Sequence, residues 1–242
     1  MPFLRGTRYS LMAASAKSYT AKIKKLGPIA YWPFWEASGT TIEDASENGR
    51  VGTYSSNVST WPIRSGIGDG HTAPDFDGTN DYVDTYSTSL RGAFDGTEGS
   101  AIGWAIVPGS GTWIDGNAHF ILDIDGNANN YVLVYKGASN RLDFVYQANT
   151  TFEIVQVTMS PIAWFHWAIT WSITDDEVKV YIDGSQQGTT QVGLGTWGVQ
   201  LALLLIGSTA AAPNLPWEGG MAHNALFDRV LPIGEVAAAA SL

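Results

Sequence analysis

Carboxylates are the best-supplied chemical groups of this chain: 23 of its 242 residues are acidic, against 13 basic residues, four histidines and no cysteine. Glycoside hydrolysis needs two carboxyl groups about 5 to 10 Å apart, which along one strand means acids at i and i+4. The nearest run, Glu43-Asp44-Ala45-Ser46-Glu47, lies in a loop leading to Asn48-Gly49, and Glu153 has no acidic partner in its own segment. The sequence therefore predicts no catalytic acid pair and no enzyme. Hard oxygen ligands suited to calcium are abundant at Asp44, Asp75, Asp77, Asn80, Asp81 and Asp84. Asp77 and Asp183 each precede a glycine and are equally explained as turn residues. Residues 123–130, DIDGNANN, begin like an EF-hand loop, but the glycine comes too early and Val134 stands where the closing glutamate belongs. They read as a hairpin turn. His71, His119, His166 and His223 are far apart in the chain, so no metal-binding pair is legible. His166 lies opposite a tryptophan face and reads as an exposed strand residue.

The tryptophans divide by context. Trp32, Trp104, Trp167 and Trp171 fall inside strand patterns and read as core. Trp61, Trp113, Trp197 and Trp217 stand in or beside segments bearing glycine or proline. Such rings can stack on sugars, anchor a protein interface, or cover the ends of a sandwich. Without cysteine the chain has neither disulfides nor a thiolate metal site. No run approaches the roughly 18 apolar residues of a membrane span, and the apolar run after Arg8 is too short for a signal-peptide core.

The elements that position these residues are mostly strands. Residues 163–184, AWFHWAITWSITDDEVKVYIDG, alternate, turn and alternate again. Phe165, Trp167, Ile169 and Trp171 share one side, as do Val178, Val180 and Ile182, which predicts a long antiparallel hairpin with one greasy and one wet face. Three turns, at residues 125–129, 137–140 and 148–150, predict a meander over 118–158. Residues 15–26 read as a short helix with Tyr19, Ile23 and Leu26 on one face, stopped by Gly27 and Pro28. Residues 232–240 read as a closing helix. The organisation is an N-terminal basic arm and helix (1–27) followed by one all-β domain (28–242).

Four blocks carry a family resemblance. The hairpin, IAYWPFWEASGTTIEDASENGRVGTY (29–54), DFDGTNDYV (75–83) and WEGGMAHNALFDRVL (217–231) together resemble the laminin-G-like, concanavalin A-like lectin/glucanase jelly rolls over about residues 28–240. The resemblance implies two antiparallel sheets in a sandwich, and recognition or assembly more often than catalysis. Family glucanases carry an E-x-D-x-E pattern, which the run at 43–47 does not match. The family's calcium site joins an opening-loop aspartate to one in the closing strand. Here Asp44 and Asp81 are the calcium candidates, while Ala222 occupies the closing-strand acidic position. No other cofactor is implied.

Charge completes the reading. Residues 1–27 hold six of the 13 basic residues and no acid, so the arm is +6 and the remainder −16. The acidic body argues against nucleic acid as a partner. Jelly rolls of this kind resemble domains of bacteriophage virion proteins. The first expectation is a non-enzymatic virion protein, of capsid decoration or tail, that associates with other virion proteins or with itself, a trimer included. Its arm would anchor through Arg5, Arg8, Lys17, Lys22, Lys24 and Lys25, with Phe3, Tyr19 and Ile23 as apolar contacts, and deleting 1–27 would leave the domain folded. The alternative is a lectin for host or matrix glycans.

Overall fold

Alternating apolar residues of the strands enclose one layer of packed side chains between two antiparallel sheets. The computed structural model describes residues 19–56, 58–209 and 215–242. Sheet A contains β1 (Ala30–Trp32), β4 (Ile63–Ser65), β5 (Thr72–Asp77), β7 (Glu98–Ile106), β12 (Phe165–Ser172), β13 (Glu177–Ile182), β14 (Ser185–Gln191) and β16 (Glu218–Phe227). Their order is β14-β13-β12-β7-β16-β5-β4, with β1 also on β16. Sheet B contains β2 (Thr41–Ile42), β3 (Gly52–Tyr54), β6 (Val83–Asp84), β8 (His119–Asn127), β9 (Asn130–Lys136), β10 (Arg141–Ala148), β11 (Thr151–Thr158) and β15 (Leu203–Ile206), in the order β11-β10-β9-β8-β15-β6-β3-β2. The expected meander is β8 to β11, and the expected hairpin is β12–β13, paired from Trp167↔Ile182 to Ser172↔Glu177.

Between the sheets, Trp32, Trp167 and Trp171 pack against Val134, Phe144 and Leu204 in one apolar cluster. The neighbouring strand makes room for the large rings. A side chain at Gly99 would sit 2.3 Å from the Trp171 ring, and one at Gly103 2.8 Å from that of Trp167. Burying one such ring contributes several kcal/mol, since truncating a core Trp or Phe to Ala costs about 3–5 kcal/mol.

The hairpin departs from expectation on its other side. Every residue of β12 is buried, so the face predicted to be wet is dry. On it Trp104, Ile102, Ala168 and Tyr181 form a second apolar cluster with Tyr19, Ile23, Val236 and Ala239. Those last four come from two helices that lie over sheet A: α1, of which residues 19–25 are described, and α3 (Ile233–Ala239). The sequence signals hold at both. Gly27 takes a positive φ of 73° directly after the α1 turn, and Pro232 caps α3. The Tyr19 hydroxyl donates to Ala239 O (2.8 Å), and Lys22 Nζ donates to Ser241 O (2.7 Å). Sheet A thus has helices on one side and sheet B on the other.

A third helix, α2 (Thr88–Ala93), was not legible in the sequence. Its six residues include Gly92, and it is held by its cap, with Ser87 Oγ accepting from Leu90 N at 3.0 Å.

Candidate functional site: the outer face of sheet B

Alternation in β8 to β10 sends Leu122, Ile124, Val132, Val134, Leu142 and Phe144 inward. The intervening residues therefore point outward. Cross-strand pairing groups them in rows: Asp125 faces Tyr131 and Asp123 faces Leu133 across β8–β9, while Gln147 faces Tyr131, Val145 faces Leu133 and Asp143 faces Tyr135 across β9–β10. On the far side of β8, Leu203 and Leu205 face Asp125 and Asp123. No described helix lies over this face. Tyr131, Leu133 and Tyr135 remain half-buried, and the Tyr135 ring stacks on Phe120 at 4.8 Å and 15°.

The electrostatics of the face are acidic. Asp123 Oδ2 accepts from Thr209 Oγ1 at 2.7 Å, and Arg141 Nε donates to Asp143 Oδ2 at 3.0 Å. Burial, and then the neighbouring Asp123, raises the Asp125 carboxyl above its ordinary value. Burial followed by the Asp125 and Asp123 charges likewise raises the Tyr131 phenol. Burial raises the Asp143 carboxyl against the opposing pull of Arg141. Chemically, this is a platform of aromatic and aliphatic side chains beside carboxylate and amide acceptors. It can accept a polyhydroxylated ring that offers C–H bonds on its faces and O–H donors at its rim. The signal was present in the run FILDIDG, where Leu122 and Ile124 alternate with Asp123 and Asp125. Residues 123–127 belong to β8 and Asn130 opens β9, so only 128–129 turn, and reading the whole run as a turn passed over the outward direction of those two acids.

The residues expected to carry function fall elsewhere. Trp61, Trp113, Trp197 and Trp217 are 6%, 0%, 4% and 0% exposed, which corrects their reading as ligand or interface rings. Their faces are used internally: Trp61 packs between Tyr54 (5.3 Å) and Phe76 (5.0 Å), and Trp197 against Phe94 (5.9 Å) and Tyr146 (6.1 Å). Trp113 Nε1 donates to Pro161 O at 2.7 Å. Trp32, Trp104, Trp167 and Trp171 are core, as expected. The tryptophans left half-exposed are Trp35, tilted on His71 at 4.8 Å, and Trp164, which donates to Ser65 O at 3.0 Å.

Of the anchoring residues, Phe3, Arg5, Arg8 and Lys17 lie outside the described residues. Tyr19 and Ile23 are buried within this chain, which corrects their reading as contacts for a partner, because their apolar surface is already covered. Lys24 pairs with Glu47, and Lys25 is exposed. Among the calcium candidates, Asp44 accepts three backbone N–H groups, from Tyr31, Ser46 and Arg50 at 2.8–3.0 Å. Asp81 accepts from Asp77 N at 3.0 Å, and burial pushes its carboxyl up to about 6. Among the described residues, one group brings three ligand atoms within 4.8 Å of one another: Asp115, His119 and Glu218. The fully buried Lys136 ammonium already pairs with Asp115 there and donates to Asn117 O at 2.8 Å. Burial works to raise the Asp115 carboxyl, but hydrogen bonds from Lys136, Asn117 N and His119 outweigh it and hold it low.

His166 is fully buried rather than exposed. Its ring stands edge-on to Trp104 at 5.3 Å, and desolvation pushes it down to about 3. His223 sits at a bulge of β16 with φ 54°. Its Nδ1 meets the Tyr31 hydroxyl at 2.6 Å and its Nε2 meets Asp69 Oδ2 at 2.8 Å. This buried chain links β1, β16 and the 66–71 loop beneath α1, whose Tyr19 ring lies 4.7 Å from His223.

No helix among the described residues is long and apolar enough to cross a membrane. A search of curated proteins finds no match. Among solved structures, the receptor-binding domain of a botulinum neurotoxin C/D mosaic serotype is similar at TM-score 0.68 and 13% identity, over 88% of this chain and 51% of that one. Domain 4 of AbnA, an extracellular GH43 arabinanase of Geobacillus stearothermophilus solved with arabinotriose, gives 0.62 and 16%, over 88% and 98%. The Trypanosoma rangeli sialidase solved with sialic acid gives 0.66 and 11%, over 95% and 38%. The chain thus spans about half the length of the neurotoxin domain, and these likenesses are likenesses of fold. Residues 77–237 match the family described as the Concanavalin A-like lectin/glucanases superfamily. Together with the two-sheet sandwich, this match shows that the chain belongs to that superfamily.

Proposed function

We propose that this protein is a non-enzymatic carbohydrate-binding module whose ligand lies across the outer face of sheet B. The observation that carries the reading is the contrast between the two outer faces. Sheet A's is apolar and roofed by α1 and α3, whereas sheet B's carries half-exposed Tyr131 and Tyr135 beside Asp125 and Gln147 with no described helix above. Similar folds solved with arabinotriose and with sialic acid add support. The test is calorimetry against a panel of oligosaccharides, followed by Tyr131→Ala and Tyr135→Ala. Each substitution is expected to weaken binding about tenfold, which corresponds to 1.4 kcal/mol. Binding untouched by both would remove sheet B from the account.

A second reading, a virion protein of capsid or tail, is favoured by the charge split between residues 1–27 and the rest. Tyr19 and Ile23 are already buried and Lys22 and Lys24 already bonded within the chain, so attachment would fall to residues 1–18. In this reading the module displays sheet B outward from a particle. Truncation before Tyr19 should then abolish incorporation while glycan binding persists. A truncated chain that still joins particles would end this reading.

A further inference from the structure

We infer that Asn48 is a site of spontaneous deamidation, and that its conversion loosens the loop fastening the start of β1. Asn48 is the one asparagine of the chain followed by glycine, and both residues are exposed. Gly49 takes a positive φ of 69°, and a side chain there would meet nothing within 4 Å. Its nitrogen thus stands in open space, in a conformation glycine adopts freely, with no side chain to shield it. The amides around it are engaged: Ser46 N and Arg50 N donate to the Asp44 carboxylate, and Asn48 N donates to Ser46 Oγ. The Gly49 N–H makes no hydrogen bond to the described residues.

The chemistry needs only water. The Gly49 nitrogen attacks Asn48 Cγ and gives up its proton. A nitrogen–carbon bond closes a succinimide ring, and Nδ2 departs as ammonia. Water then opens the ring at either carbonyl, breaking that carbon's bond to the Gly49 nitrogen. Opening at Cγ leaves aspartate, and opening at the backbone carbonyl leaves isoaspartate. One water enters, one ammonia leaves, and nothing is oxidised or reduced. The nitrogen that departs is the one that does the fastening. Asn48 Nδ2 donates to Pro28 O at 3.3 Å, to Ile29 O at 3.0 Å and to Ser46 Oγ at 3.0 Å. Pro28 and Ile29 are buried and lead directly into β1. Residues 46–49 are half-buried or exposed, so these bonds open locally and let Cγ meet the Gly49 nitrogen. After deamidation the group facing both carbonyls is a carboxylate, which accepts and cannot donate. Arg50 still donates to Ile29 O, but Pro28 O loses its donor. Isoaspartate also lengthens the backbone between Glu47, which pairs with Lys24 of α1, and Arg50.

The test ages the full chain in mildly alkaline buffer and follows it by intact mass and peptide mapping. The mass gain of a deamidation should appear first and mostly at Asn48, with aspartate and isoaspartate products, and should vanish in Asn48→Ser. Amide hydrogen exchange then reads the loop. Ile29 N, bonded to Leu226 O, and Tyr31 N, bonded to Asp44 Oδ1, should exchange about fivefold faster in the aged chain and in Asn48→Asp. The amides of β12, within sheet A, should be unchanged. A mass gain spread over other asparagines, or one that persists in Asn48→Ser, would overturn the site. Conversion of Asn48 with exchange at Ile29 and Tyr31 unaltered would overturn the loosening.

Discussion

The two outer faces of the sandwich are built by one rule and end as opposites. In sheet A the residues pointing away from the core are Ile102, Trp104, Ala168, Ala222 and Phe227, and they make a second apolar cluster. In sheet B they are Asp123, Asp125, Tyr131, Leu133, Tyr135 and Asp143. An antiparallel sheet can leave one face in water only when the outward residues tolerate it. Those of sheet A do not, so both ends of the described chain fold over them, and Tyr19 and Ile23 are as buried as any residue between the sheets. The helices are therefore part of the packing of sheet A rather than appendages to it. Sheet B has no described helix over it: Tyr131, Leu133 and Tyr135 stay partly exposed there, while Asp123, Asp143 and Val145 are buried.

That contrast can be broken by substitution. Trp104→Ala should cost about 3–5 kcal/mol in chemical denaturation, since Trp104 is 7% exposed and its Nε1 donates to Tyr19 at 2.6 Å beneath the helices. A loss below 1 kcal/mol would mean that the helices do not shield this face in solution. Next in size is Asp69→Asn, which weakens the contact to buried His223 and should cost about 1–3 kcal/mol.

Acid probes the same face through His166. Its imidazole falls from an ordinary 6.5 to about 3 through burial, beside Trp104 and with Asp183 Oδ1 bonded to its backbone N–H. Above pH 6.5 both folded and unfolded chains hold it neutral, so its full contribution is present. Below 6.5 the unfolded chain takes up the proton and the folded chain does not. Stability should therefore fall by about 1.4 kcal/mol per pH unit toward pH 3. His166→Leu should flatten that part of the profile measured by urea denaturation, and an unchanged slope would assign it to other groups. The smallest effect is expected on sheet B. Tyr131→Ala should change stability by no more than about 0.5 kcal/mol while weakening glycan binding about tenfold. A large loss of stability would show that the Tyr131 ring is structural.

Much of this was legible in the chain, and the exceptions have physical causes. The hairpin at 163–184, the meander and the caps at Gly27 and Pro232 follow from short-range patterns and were found as predicted. The outward side of β12 was misread because Ser172, Thr170, His166 and Ala168 look compatible with water. Only the tertiary placement of α1 and α3 buries them, and no local signal reports that. For the loop tryptophans three readings stayed open, for the related reason that a glycine-rich neighbourhood does not fix which way a ring points. At Trp197, for example, Gly96 leaves the space the ring fills, since a side chain there would lie 2.3 Å from it. The acids of β8 were legible as strand alternation and were missed because their turn drew the reading.

Hydroxyl-radical footprinting with and without a bound oligosaccharide tests the central claim most directly. It compares Tyr131 and Tyr135 on sheet B with the half-exposed Trp35 and Trp164 near the β4–β5 hairpin. The account predicts that ligand protects the two tyrosines and leaves the two tryptophans as reactive as before. Protection of the tryptophans with the tyrosines unchanged would contradict it and move the binding surface to the hairpin side of the molecule.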